Sequence, residues 1–270
     1  MSGRAVDTVL CSATVGAASA FPTNLPATGT GDSLTVRGTV AESKAHLMAF
    51  ITQSDAAANK FQIKSPLLHD NVTGLTWKVP ENPSIFLVPE YSSVDLEEQD
   101  TLTVSGQSGA ATTITAALVI AYDDLRGTDA QLFRWSDIHP DIRKYKSVEV
   151  QLGAIAVGAW TDTLITATED QLHADKSYAV IGYTVSPALC VIALKGVATG
   201  NLRLGGPGFA QTISLSDYFV EMSEYHQRPY IPVFQANDRR AVNISAANGV
   251  AVAAQAATVS LIVAELKTKR

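Results

Sequence analysis

The residue types that carry out catalysis occur in this chain without catalytic spacing. Its five histidines, His46, His69, His139, His173 and His226, are scattered with no H-x-H pair and no H-E-x-x-H, whereas a compact metal site usually draws two ligands from one short segment. The densest constellation is Asp137-Ile138-His139-Pro140-Asp141, two carboxylates and an imidazole. It reads as a capped, proline-rigidified connection rather than a metal site. The acidic run Asp95-Leu96-Glu97-Glu98-Gln99-Asp100 reads as a solvated turn before a strand, not as the paired carboxylates of glycoside chemistry. Cys11 and Cys190, the two cysteines, sit in apolar runs with no neighbouring base, and no Gly-x-Ser-x-Gly elbow is present. Free, buried thiols are expected.

Cofactor chemistry has no better footing. Gly205-Gly206-Pro207-Gly208 lacks the Lys-Ser/Thr of a phosphate loop and reads as a rigid turn, and no strand followed by G-x-G-x-x-G opens a helix. Trp77, Trp135 and Trp160 read as core or subunit contacts rather than sugar-stacking platforms. Asn71-Val72-Thr73 and Asn243-Ile244-Ser245 read as chance matches to the glycosylation pattern. No catalytic, cofactor-binding or metal-binding residue is assigned, no cofactor is expected, and the chain is expected not to be an enzyme.

Composition narrows the class further. At 270 residues, 46% hydrophobic and 17% charged, the chain can bury two cores and lacks the signature of disorder. A net charge of −6 argues against wrapping nucleic acid, which rests on many Lys and Arg contacts to phosphate. Of the two small basic clusters, Asp238-Arg239-Arg240 and Lys267-Thr268-Lys269-Arg270, the second reads as a solvated chain end. Met1 to Asp7 contains no apolar signal region and no window is apolar enough to span a bilayer, so a soluble, non-secreted product is expected.

The elements that must hold these residues are strands. Period-2 alternation recurs at Val9, Cys11, Ala13 and Val15, at Leu34, Val36 and Val40, at Leu102 and Val104, at Val148, Val150 and Leu152, and at Val242 and Ile244. Each predicts a half-buried strand. Turn clusters such as Thr28 to Ser33, Ser105 to Gly109 and Asn248-Gly249 separate them. One helix is predicted, from Leu215 to His226, where Leu215, Tyr218, Phe219, Met222 and Tyr225 fall on one face; Ser214 or Ser216 would cap it and Pro229 would end it.

The order of these segments repeats. Lys44 to Thr52 parallels Lys176 to Thr184, and Phe61 to Leu68 parallels Val191 to Val197. The proline-bearing segments Ile85 to Pro89 and Tyr230 to Phe234 correspond, and each leads to a closing hairpin: Leu102 to Val104 with Ala117 to Ala121, and Val242 to Ile244 with Ser260 to Ala264. Val9 matches Val148. Loop lengths differ, with a longer loop at Ala17 to Ser33 and an insertion at Gly205 to His226. Asp123 to Lys146 connects the copies and packs against both. The expected fold is all-β, two tandem β-sandwiches covering residues 1–135 and 136–270, with a short helix in the second half.

The duplicated strand order, the prolines Pro89 and Pro232, and the closing strands Leu118 to Ala121 and Leu261 to Ala264 resemble the double jelly-roll major capsid proteins of tailless, icosahedral double-stranded DNA viruses of the bacteriophage type. The resemblance is architectural and covers nearly all of the chain. It implies two eight-stranded jelly rolls, homotrimers that form pseudo-hexagonal capsomers, and a place in a virion shell assembled from subunits made in the host cytoplasm. It carries no catalytic residues. The partners implied are the chain itself and minor capsid or membrane proteins, with no sequence-specific nucleic-acid contact and no small-molecule substrate. The segment from Trp77 to Ser84 is too short for the helix that the second half carries. Another phage structural protein, or a carbohydrate-binding module of a tail, spike or adhesin, is the alternative.

Overall fold

The computed structural model describes residues 2–15, 23–29, 32–40, 44–54, 59–66, 74–79, 84–88, 94–165, 172–209, 214–236, 243–247 and 255–270. Alternating apolar residues form strands because a pleated strand sends successive side chains to opposite faces and buries one set. The first half contains β1 (Ser2–Val15), β2 (Thr23–Asn24), β3 (Ala45–Ser54), β4 (Asn59–Lys64), β5 (Leu75–Val79), β6 (Ser84–Leu87), β7 (Val94–Leu96), β8 (Thr103–Gln107) and β9 (Thr112–Arg126). A connection with β10 (Leu132–Phe133), α1 (Trp135–Ile138) and a 3₁₀ turn follows. The second half contains β11 (Ile142–Ile155), β12 (Thr161–Leu164), β13 (Ser177–Ser186), β14 (Val191–Lys195), β15 (Arg203–Pro207), α2 (Tyr218–Tyr225), β16 (Ile231–Gln235), β17 (Asn243–Ala247) and β18 (Gln255–Leu266).

Strand pairing makes both halves jelly rolls. The first half forms one sheet in the order β1-β9-β3-β6, with β7 beside β3, and a second in the order β2-β8-β4-β5. The second half repeats this as β11-β18-β13-β16, with β10 added beyond β16, and β12-β17-β14-β15. Without β7 and β10, eight strands per half are connected identically, with the first, eighth, third and sixth facing the second, seventh, fourth and fifth. The all-β, tandem jelly-roll expectation therefore holds, and Val9 and Val148 occupy equivalent places opposite Leu118 and Leu261.

Several local expectations change. The closing pairs are not hairpins: β8 bonds to β2 and β4 while β9 bonds to β1 and β3, so the chain crosses between sheets there. The same holds for β17, which bonds β12 and β14, and β18, which bonds β11 and β13. A jelly roll closes by joining opposite sheets, and period-2 alternation is blind to which sheet a strand joins. Leu34 to Val40 forms no strand, only the isolated bridges at Thr35 and Thr39. The helix is shorter than Leu215 to His226, because the Leu215 carbonyl accepts the Tyr183 N–H at 2.8 Å and is held to β13. Ser214 and Ser216 do not cap it; their hydroxyls bond each other at 2.8 Å. Tyr218, Phe219 and Met222 face inward as predicted, but Tyr225 is 42% exposed.

Gly205, Gly206 and Pro207 lie in strand β15, not in a rigid turn. Close approach explains the glycines: a Cβ on Gly205 would lie 2.4 Å from Thr8 Oγ1 of β1, and one on Gly206 would lie 2.3 Å from the Tyr218 ring. A Gly205→Ala variant should lose about 1–3 kcal/mol of stability through overpacking. Gly153→Ala, where nothing lies within 4 Å, should shift it by less than about 0.5 kcal/mol. Urea denaturation of the two variants is the check.

Candidate functional site

The two jelly rolls share a seam, and the residues with unusual environments collect there. Inside the first half, Val9, Cys11, Val15, Phe50, Phe61, Leu118 and Ile120 form a separate core. Phe50 and Phe61 meet edge to face across the two sheets, 5.4 Å apart at 78°. The outward residues of the same β1-β9-β3 sheet are equally apolar: Val6, Leu10, Met48, Ala49, Ile51, Ala117, Val119 and Ala121. They join one continuous cluster with the interior of the second half. β1 is thus buried on both faces, not half-buried as its alternation predicted. Removal of this apolar surface from water is the main stabiliser of the seam.

Polar groups fix the register of that contact. Asp7 is 3% and Thr8 0% exposed in the middle of β1. Thr8 Oγ1 accepts the Gly205 N–H at 2.9 Å, and Asp7 takes the Arg203 backbone N–H at 3.5 Å and Arg37 Nε at 2.8 Å. Arg203 reaches Asp32 Oδ1 through Nη1 at 2.9 Å, with side-chain exposures of 7% and 2%. Its guanidinium lies over the Trp160 ring, 5.0 Å from the centroid. Asp32 Oδ2 also accepts the Leu10 N–H and Trp160 Nε1, both at 2.8 Å. Burial raises the Asp32 carboxyl above its ordinary range against these donors and Arg203. Asp162, 3.9 Å from Arg203 and from Lys195, accepts the Ser245 hydroxyl at 2.5 Å.

A second charged chain crosses the seam. His46, 7% exposed on β3, has Nε2 2.9 Å from Asp123 of β9 and Nδ1 2.9 Å from Asp95 of β7. Only the Nε2 contact has hydrogen-bond geometry; the Nδ1 contact is close without it. Lys44 holds Asp95 at 2.7 Å, and Arg228 of the second half bonds Asp123. The Lys44 hydrogen bond holds the Asp95 carboxyl below its ordinary range, and the His46 hydrogen bond does the same for Asp123. Asp95 is therefore strand-bound and ion-paired rather than part of a solvated turn. Asp100, at the end of the same run, is 2% exposed and bonded by Ser65.

Other residues singled out by sequence separate. Cys11 and Cys190 are free and fully buried, and burial pushes both thiols up, Cys190 to about 12. They stay protonated and unreactive at neutral pH. Asp137 to Asp141 forms the end of α1 and the 3₁₀ turn, and it anchors the C-terminus: Asp141 Oδ1 accepts the Thr268 N–H at 3.1 Å and the Asp137 carbonyl accepts Arg270 Nη2 at 2.9 Å. The Arg270 guanidinium lies 5.1 Å from the Phe133 centroid. These bonds tether the C-terminus, while Lys267 to Arg270 stay exposed to solvent as expected. Trp135 packs against the second core and Trp160 is engaged at the seam, so neither is a bare platform. The side chain of Trp77 lies outside the described residues, as do His69, Asn71 to Thr73, Pro89 and Asp238 to Arg240.

Burial drives His226 down to about 4, leaving it neutral at pH 7 in contact with Tyr225. Among the described residues no group of three or more His, Cys, Asp or Glu side chains is placed to hold a metal ion. A cleft of about 490 Å³ lies beside the seam, lined by Arg37, Gly38, Leu125, Arg126, Gly127, Thr128, Gly200 and Leu202. The arrangement is chemically one of attachment, because its charged groups neutralise one another across the seam instead of facing a reacting centre.

Sequence reasoning missed Asp7, Asp32, Arg203, His46 and Asp123. One signal was available: a lone charge inside an apolar strand, as with Asp7 in Ala5 to Cys11, marks a buried pair. Its charged partner Arg37 lies 30 positions along the chain and the Arg203 backbone it also meets lies 196 away, and neither could be read.

No protein-family model and no curated protein matches the sequence. The chain is similar to a solved structure described as the crystal structure of the STIV MCP, at 9% identity over 97% of this chain and 96% of that one, with a TM-score of 0.19. At that score the similarity adds no weight, and the fold stands on strand order.

Two measurements probe the seam. Asp32→Ala should destabilise the protein by about 3–5 kcal/mol, since it leaves the Arg203 charge buried without its main partner, whereas Arg143→Ala on the exposed start of β11 should cost less than about 1 kcal/mol. The depressed carboxyls of Asp95 and Asp123 contribute stability above the ordinary carboxylate range of about 4, and lose it as pH falls through their lower folded values. Urea midpoints of wild type should therefore fall below about pH 4, and those of Asp123→Asn should fall less over the same range.

Proposed function

We propose that this chain is a structural subunit of a virion shell, a capsid protein of double jelly-roll type that acts by packing against copies of itself in trimeric, pseudo-hexagonal capsomers. The observation that supports it best is the repetition of one eight-strand order twice in a single chain, with the outward face of one jelly roll already given over to binding the other. A sandwich that carries out chemistry keeps an open cleft lined by titratable groups. Here the most buried charged pair among the described residues, Arg203 with Asp32, joins two equivalent units at their seam. Side-by-side copies of one unit are the geometry a shell needs, because six similar units from three chains tile a surface.

Light scattering with negative-stain microscopy across a concentration series tests this reading. Compact trimers, hexagonal plates or closed shells are expected. A chain that remains monomeric at high concentration overturns it.

A further inference from the structure

The cleft of about 490 Å³ beside the seam is lined by two arginines and by no acidic residue. Its surroundings make that concentration of charge uncommon, because residues 1–135 hold 8 Lys and Arg against 14 Asp and Glu. Backbone pairing brings the two guanidiniums to one place. The Arg126 N–H donates to the Gly38 carbonyl at 3.1 Å and the Val40 N–H to the Asp124 carbonyl at 3.0 Å, which fastens the segment carrying Arg37 along the end of β9. Two left-handed glycines shape the walls, Gly127 at φ +75° and Gly200 at φ +64°. A Cβ on Gly200 would collide with Thr128 Oγ1, so the second half closes against the first there. One on Gly127 would meet nothing within 4 Å, so that turn borders open space. Leu125 and Leu202, one from each half, add apolar lining.

We propose that this cleft binds a small organic anion, a carboxylate or phosphate group on an apolar body, with Arg37 and Arg126 on the anionic group and Leu125 and Leu202 against the carbon skeleton. Guanidinium forks match the paired oxygens of both groups. A cleft walled by one sign of charge also concentrates the opposite sign. Arg37 gives Nε to Asp7 at 2.8 Å and keeps its side chain 37% exposed. Arg126 is 60% exposed, and its one ion pair among the described residues, with Glu98, is loose at 3.8 Å.

The duplication shows what chemistry the end of a closing strand calls for. After β18 a carboxylate receives the chain: Asp141 Oδ1 accepts the Thr268 N–H at 3.1 Å and its hydroxyl at 2.9 Å, and Oδ2 lies 3.5 Å from Arg270 Nε. At the end of β9, the counterpart of β18, Arg126, Gly127 and Thr128 meet the cleft instead. The site holds and does not convert, since no side chain lining it changes charge near neutral pH. Binding there is independent of the shell-subunit role.

Isothermal titration calorimetry of the full chain at low salt, with phenyl phosphate and with benzoate, tests the site. One molecule per chain is expected, with a Kd below about 1 mM. Arg126→Gln should weaken binding by about tenfold or more, the worth of a charge-assisted hydrogen bond, with unchanged circular dichroism. Glu98→Gln should tighten it, because it removes the carboxylate that competes for Arg126. Arg143→Gln, which removes the same charge outside the cleft, should leave it unchanged. Inorganic phosphate, with nothing to set against the two leucines, should bind more weakly than phenyl phosphate; equal affinities overturn the organic assignment. No saturable heat from either organic anion, or heat that Arg126→Gln leaves unchanged, overturns the site.

Discussion

The architecture depends on the burial of the outward face of the first β1-β9-β3 sheet. Without the second half, Val6, Leu10, Met48, Ile51 and Val119 would form an exposed apolar strip, and a strip of that kind is an aggregation surface or a binding surface. With it, the strip becomes part of one core running from the first jelly roll through the second. Small residues make the approach possible: Ala49, Ala117 and Ala121 on the sheet, and Gly205 opposite, against Thr8. The sheet therefore has two interior faces, and β9 reads as a continuous apolar run from Ala116 to Tyr122 for the same reason that the strands of a covered parallel sheet do.

Apolar contact alone would let the halves slide, since dispersion and burial are nearly indifferent to register. The buried charges remove that freedom. Arg203 is met by Asp32, Trp160 and the Asp162 carboxylate at once, and its backbone by Asp7. Replacing such a set with apolar residues can be neutral in stability, but displacing one half by a residue would leave several buried charges unpaired at a cost of several kcal/mol. The set therefore contributes more to position than to net stability. His46, on the other side of β9 from β1, and Arg228 act in the same way through Asp123.

Strand character, duplication and the inward sets at Val9 and Cys11 and at Val148, Val150 and Leu152 were legible in the sequence, because alternation and segment order are local properties repeated along the chain. What was not legible is everything that depends on the partner of a face. Alternation identifies one buried face and is silent about whether the other is covered, so β1 and β11 looked alike. The glycines of β15 looked like a turn because close approach by Thr8 and Tyr218 comes from segments distant in sequence. That the exposed basic C-terminus is also tethered was not legible, because Phe133, Asp137 and Asp141, which hold it, lie more than a hundred residues away. Asp95 looked like part of a turn because its partner His46 is on another strand.

The same asymmetry explains the distribution of charge. In a duplicated chain whose halves served identical roles, acidic and basic residues would divide evenly. Here the first half carries the whole net charge of the protein and the second is neutral with a basic strip at its exposed edge. Uniform acidity in both halves would keep copies soluble and would also repel each half from every other. Concentrating it in one half leaves the second half free of that repulsion where the two meet within the chain. Internal packing and the buried ion pairs therefore set which half lies beside which within the chain.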